Sequence, residues 1–167
     1  MTSVAEAAAQ LWPAARLLSA LSVRPAGPED REGVVQLLAG SSADALHQRF
    51  LVGFGGPPLT ALVDRLLARD ASSRSVLALA GEAVVGHGMC AHAKSWQGRP
   101  AVEIALLVRD DQRGRGIGSA LLYALRDEAV AMRAEWIQVT TAADNRVVTA
   151  MVRAHAPGLQ PSSTALR

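Results

Sequence analysis

A single cysteine, Cys90, leaves no partner for an internal disulfide and no pair for a Cys-x-x-Cys metal knuckle. Such cysteine usage suits a reducing compartment. Aromatic residues are scarce at 4%, so the core has to be assembled mainly from Leu, Val and Ala. Lysine is nearly absent as well: Lys94 stands alone and the remaining basic charge is arginine. The formal net charge is only +2, and acidic residues interleave with arginines in RDDQR and RDEAVAMRAE. No long basic stripe is offered to a nucleic-acid backbone, and few rings are offered to its bases. No apolar run reaches the length that spans a bilayer. The alanine-rich start, MTSVAEAAAQLWPAARLLSALSVRP, lacks a basic region ahead of its apolar stretch and is broken by Glu6 and Arg16, unlike a secretory signal. These absences predict a cytoplasmic protein with neither a nucleic-acid nor a membrane partner, and no metal site.

What the chain does have is the material for one domain. Its 167 residues are 50% hydrophobic and 19% charged, with mean hydropathy +0.17, enough to bury a core between two layers of structure. Residues 1–20 read as a helical N-terminal extension, and residues 21–167 as the domain proper. LSVRP reads as a short strand, EDREGVVQLLAGSS as a helix stopped at Gly40, and Ala43–Phe50 as a second helix. VGFGGPPL is a loop, and LTALVDRLLARD carries apolar residues at helical spacing. The period then changes. RSVLALA, a GE turn and AVVGHGMCAHA form a hairpin, KSWQGR reads as a turn, and AVEIALLV as a strand. In that last strand Val102, Ile104, Leu106 and Val108 share one face while Glu103, Ala105 and Leu107 share the other. SALLYALRDEAVAMR follows as a helix, EWIQVTT as a strand, DNRVVTAMVRAH as a helix and LQPSSTALR as a last strand. This order predicts an α/β (α+β) fold: a mixed, largely antiparallel sheet between two layers of helices.

The most informative stretch is QRGRGIGSALL. Three glycines open a segment that otherwise reads as a helix, although each costs roughly 0.5–1 kcal/mol relative to alanine in a helix interior. A strand end, a short polar loop and a Gly-x-Gly-x-Gly helix opening turn unpaired N–H groups into one concavity, suited to phosphate. Arg113 and Arg115 add charge at its rim. A dinucleotide fold would put such a loop after its first strand, and a Walker loop needs Gly-Lys-Ser/Thr, which is missing.

VRDDQRGRGIGSALL, from Val108 to Leu122, resembles the acetyl-CoA signature of the GNAT superfamily of N-acetyltransferases. The family pattern Arg/Gln-x-x-Gly-x-Gly/Ala falls on Arg113, Gly116 and Gly118. The likeness runs over about residues 21–155, with VRPAGPEDREGVVQLL similar to the first strand and helix, and VTTAADNRVVTAMV to the fifth strand and the helix after it. SSADALHQRF and AVEIALLVRDDQRGRGIG are most similar to the branch containing bacterial protein lysine acetyltransferases. The resemblance implies acetyl-CoA (coenzyme A) as cofactor. Its pantetheine arm would pair with main-chain groups of Leu106, Leu107 and Val108 at a splayed strand end. Its pyrophosphate would rest on the N–H groups of Arg113, Gly114, Arg115, Gly116, Ile117 and Gly118, with Ser119 behind. Asn145 matches a family residue near the pantetheine arm, and equally fits a helix cap.

Transfer of acetyl to an amine requires a neutral amine, alignment and a partner for the developing oxyanion. Glu103, a lone charge in an apolar strand, is the candidate base, and burial would raise its pKa; a carboxylate on a solvated face or in a salt bridge is the alternative. It also falls on the glutamate of the lysine-acetyltransferase branch, V-E-I-A here. His87 and His92 lie on opposite faces of the neighbouring strand and are reserve candidates, while Cys90 reads as a core residue. The family's usual tyrosine acid has no counterpart, since the only tyrosine is Tyr123 in the cofactor helix, and His155 is the nearest substitute. The resemblance also calls for a C-terminal strand, lying beyond Arg167 or supplied by a second copy in a homodimer. The function expected is transfer of an acetyl group to a primary amine, on a small molecule or a protein lysine. The alternative is a non-catalytic acyl-CoA-binding regulatory module.

Overall fold

The computed structural model describes residues 21–51 and 60–140, with Val148 and Ala150. The expected N-terminal helical extension, the VGFGGPPL loop, the last strand and nearly all of the helix after EWIQVTT lie outside the described residues.

Strand β1 (Leu21–Pro25) leads through a 3₁₀ turn (Pro28–Asp30) into helix α1 (Arg31–Ala39). Helices α2 (Ala43–Phe50) and α3 (Thr60–Leu67) follow. Ser42 caps α2 by accepting a hydrogen bond from the Ala45 N–H. Strands β2 (Ser73–Ala80), β3 (Ala83–Trp96) and β4 (Arg99–Val108) then form a meander. A second 3₁₀ turn (Asp110–Gln112) precedes helix α4 (Ile117–Ala131), and β5 (Trp136–Val139) closes the described order. The five strands lie in the sheet in chain order. The pairs from β1 to β4 are antiparallel, and β5 runs parallel to β4 after the α4 crossover. Mixed sheet and helical layers match the architecture expected.

KSWQGR departs from its expectation as a turn. Strand β3 runs on through Trp96, so the turn is only Gln97-Gly98. Both residues have positive φ, 50° and 77°, the signature of the two-residue hairpin turn whose twist suits its strands.

Alternation along the strands sorts the core into two halves. Leu77, Leu79 and Leu107 face Val34, Leu37, Val63 and Leu66 of α1 and α3. Val76, Val85, Val102 and Ile104 face Ile117, Leu121 and Leu125 of α4. Near the first turn the buried Asp30 carboxylate joins the two segments around it. It accepts from both terminal nitrogens of Arg24, at 2.8 and 2.6 Å, and from the Gly27 N–H at 2.8 Å. These donors hold its pKa below the usual carboxylate value.

Helix α4 lies close against β3 because that strand reads Gly86-His87-Gly88. A Cβ on Gly88 would stand 2.8 Å from a Leu125 methyl, and one on Gly86 would stand 3.0 Å from a Leu121 methyl. Gly88→Val is therefore expected to overpack this contact and destabilise the fold by about 1–3 kcal/mol, read as a lower Tm. An unchanged Tm would mean that α4 can lift from the sheet without loss.

Candidate functional site

The parallel pairing of β4 with β5 covers Ala101–Ile104 on one side and Trp136–Val139 on the other. Strand β4 continues to Val108, so among the described residues Ala105–Val108 have no strand on that edge. A cleft of about 350 Å³ opens there, floored by the freed length of β4 and reached by Val139, Thr140 and Val148.

The glycine loop forms one end of the cleft. After the 3₁₀ turn Arg113 is extended, Gly114 has φ +74°, and Gly116 has φ +79° as the N-cap of α4. Left-handed backbone of this kind strains any residue with a Cβ. A Cβ at Gly114 or Gly116 would meet nothing within 4 Å, so the space beside the loop is open. The N-cap of α4 is Gly116, which has no side chain to cap the helix, and the first-turn N–H groups of a helix lack intrahelical partners. Gly114, Gly116, Ile117 and Gly118 border the cleft with Arg113, and so do Leu106, Leu107 and Val108. Arg115 and Ser119 do not border it; the Arg115 guanidinium instead donates to Gln112 Oε1 at 3.2 Å. The Arg113 N–H is already engaged by the Asp110 carbonyl at 3.4 Å, and its guanidinium by the Asp110 carboxylate at 3.0 Å. Asn145 and His155 lie outside the described residues.

Helix α2 supplies the opposing wall. The Asp110 carboxylate accepts from the Ser42 N–H at 2.9 Å and from its hydroxyl at 3.2 Å, fastening the start of α2 to the loop. Ala45, Gln48 and Arg49, at i, i+3 and i+4, then face the cleft. Sequence reasoning missed all three. The available signal was a helix whose inward stripe ends in polar residues where a core stripe would be apolar. The Arg49 guanidinium stacks over the Phe50 ring, 4.8 Å from its centroid, and its Nε is buried with no hydrogen-bond partner. Burial lowers its pKa to about 10, against a partial restoring pull from Glu103.

Glu103 pairs in register with Ala91 and Gln138 in mid-sheet and is exposed. Its exposure matches the solvated face that stood as the alternative to a buried base. It stands just beyond the cleft lining and close enough to act electrostatically on Arg49.

The two histidines separate as their parity requires. His92 is exposed, on the face shared with Val102. His87 is 2% exposed, and its Nε2 lies 2.7 Å from the Leu66 carbonyl. Burial, helped by the charge on Arg49, lowers the His87 pKa to about 3, so the neutral ring donates to Leu66 and ties β3 to α3. His87 is thereby committed to structure. Cys90 is buried beside Met132, Sγ to Sδ 3.5 Å, and burial pushes its thiol pKa up, which leaves it a poor nucleophile. Tyr123 is 45% exposed on α4, under the Arg126 guanidinium. Among the described residues no three His, Cys, Asp or Glu side chains gather as a metal site, and no helix is long and apolar enough to cross a membrane.

A mixed sheet whose fourth and fifth strands part over a glycine-opened helix defines an acyltransferase-like fold. Residues 43–155 match the acetyltransferase (GNAT) family, and the chain belongs to that family. Its membership supports acetyl-CoA-dependent acyl transfer as the general activity. No curated protein matches the sequence. The fold is similar to the GNAT domain of S. lividans PAT, with TM-score 0.72 and 22% identity over 80% of this chain and 79% of that one. It is also similar to an aminoglycoside acetyltransferase from an uncultured soil metagenomic sample, solved with sisomicin, with TM-score 0.69 and 16% identity over 90% and 97%. A third relative in structure is ribosomal-protein-alanine N-acetyltransferase from Brucella melitensis biovar Abortus 2308, with TM-score 0.66 and 20% identity over 89% and 99%. At these identities the likeness is one of fold, and it singles out no acceptor.

Gly116→Asp puts a carboxylate into the open space beside the loop, and calorimetric titration should show CoA binding lost. Gly98→Asp carries the same strain, since Gly98 also has positive φ and open space, yet it sits in a hairpin turn and should bind CoA normally. Equal affinity in both variants would remove the loop from the cofactor site.

The folded chain refuses at His87 a proton that the unfolded chain accepts below its ordinary pKa of 6.5. Stability should therefore fall as the pH drops from 6.5 towards 3, by roughly 1.4 kcal/mol per pH unit from this one group. Urea unfolding at a series of pH values should show a shallower slope for His87→Gln. An unchanged slope would assign the acid sensitivity elsewhere.

Proposed function

We propose that the chain is an N-acetyltransferase that uses acetyl-CoA to acetylate a primary amine, with Glu103 as general base. The observation that carries this reading is the convergence, in one cleft, of a free β4 edge with the glycine-opened start of α4. The residues present fit the cofactor. Ala105–Val108 offer extended main chain to an amide-rich arm, and open left-handed glycines beside uncapped N–H groups suit a pyrophosphate. The described lining carries two arginines and no carboxylate, a charge balance that favours a phosphorylated ligand.

When bound, acetyl-CoA would supply an acetyl thioester: a carbonyl carbon open to the amine nitrogen, and a sulfur that would leave as thiolate and take up the second proton the nitrogen sheds. The chain's own contribution begins with deprotonation, since an ammonium has no lone pair to offer. Glu103 accepts that proton, and its exposure lets the proton pass on to solvent. Main-chain groups of Leu106–Val108 hold the reacting partners in line. The likeness of V-E-I-A to the lysine-acetyltransferase branch supports the role of Glu103 and makes a protein lysine one acceptor to test beside small amines. The position of Glu103 outside the cleft lining favours a second reading, an acyl-CoA-binding module without turnover. A cytoplasmic location and a homodimeric state belong to the same proposal.

Glu103→Gln keeps side-chain size and removes basicity. Its kcat/KM should fall roughly 10²–10⁴-fold, with CoA affinity held and the deficit narrowing at high pH, where more amine is already neutral. Wild-type turnover in this variant would reject Glu103 as the base. CoA binding by the unaltered chain, without turnover of any amine or lysine peptide, would favour the module.

A further inference from the structure

We propose that the acceptor is a small amine that also carries a carboxylate, and that Arg49 is the residue that selects it. The inference rests on the N-acetyltransferase reading and names its substrate class.

Among the described residues Arg49 is a cation without an ion pair on the wall of the cleft. No carboxylate lies within 4 Å of it among the described residues. Its Nε is buried and unbonded, and its face rests on Phe50. A buried donor of this kind is costly to leave unmatched, and a guanidinium held over an aromatic ring keeps its planar fork of donors for a carboxylate.

Its position separates it from the phosphate end of the cleft. The Ser42–Asp110 hydrogen bonds fasten the start of α2 to the glycine loop. Arg49 lies seven residues further along that helix, about 10 Å away. There it feels Glu103 and is felt by His87, whereas Glu103 precedes Val108 by about 16 Å of extended strand. An anion held by Arg49 is thus distinct from one held by the loop.

Glu103, just beyond the cleft lining, and Arg49, on its wall, present opposite charges to an acceptor that reaches both. An amino-acid zwitterion matches that pattern, with its ammonium towards Glu103 and its carboxylate towards Arg49. Polycationic acceptors are opposed, because the described lining offers them no acidic side chain. A volume of about 350 Å³ that also takes the thioester arm leaves room for a small partner.

The test compares short unbranched ω-amino acids with their primary amides, using the full chain and acetyl-CoA. The carboxylates should be preferred about 10–100-fold in kcat/KM, the range expected for a charge-assisted hydrogen-bonded pair, and mainly through KM. Arg49→Gln should collapse the ratio of carboxylate to amide, and Arg49→Lys should restore part of it. Calorimetric titration of the same amino acids into the CoA-bound wild-type chain reads the site without turnover and without any variant. There the carboxylates should bind and compete with simple alkanoates, while the amides should not. Equal use and equal binding of acids and amides, or preference for a lysine peptide or a polyamine, would overturn the assignment to Arg49 while leaving acetyl transfer intact. Absence of CoA binding would instead overturn the acetyltransferase reading, and the acceptor class with it.

Discussion

The site depends on β4 and β5 ceasing to pair at Ile104 and Val139. Parallel neighbours need a crossover, and α4 provides it, so the strand that leads into the glycine loop is also the strand beside the gap. Had the ladder continued to Val108, the main-chain groups of Ala105–Val108 would be spent on β5 and the cleft would be closed. The glycines matter because of where this ladder stops: they bring the start of α4 up to the gap with no Cβ in the way.

Two constraints keep the gap in shape. The first is the close seating of α4 on Gly86 and Gly88, which fixes the helix against β3. The second is the carboxylate of Asp110, shared between Arg113 on the loop and Ser42 at the head of α2. Arginine and hydroxyl are both half exposed, so each bond alone is modest in energy. Their value is geometric, because one side chain sets the spacing between the two walls of the cleft.

Much of this was legible in the sequence. Strict alternation in AVEIALLV gave both faces of β4, and the opposite parities of His87 and His92 put the two rings on opposite faces of the sheet. The glycine run carried the left-handed turns and the helix opening, since only glycine accepts that backbone without strain. What was hidden depends on contacts between segments distant in sequence. Arg49 reads as an ordinary residue near a helix end until α2 is laid against β4. Alternation alone left Glu103 either a buried base or a carboxylate on a solvated face, and only the assembled sheet shows it exposed. The turn in KSWQGR was misjudged because polar residues can extend an exposed hairpin when a two-residue turn of the right hand closes it.

The two faces of β4 divide the molecule in a further way. Residues turned towards α4 share their packing with the helix that the glycine loop opens, whereas those turned the other way share theirs with α1 to α3. Variation in α2 reaches the loop through the Ser42–Asp110 hydrogen bonds and through the packing of α2 on β4. A lineage built on this plan can exchange one wall of its cleft while the other is inherited unchanged.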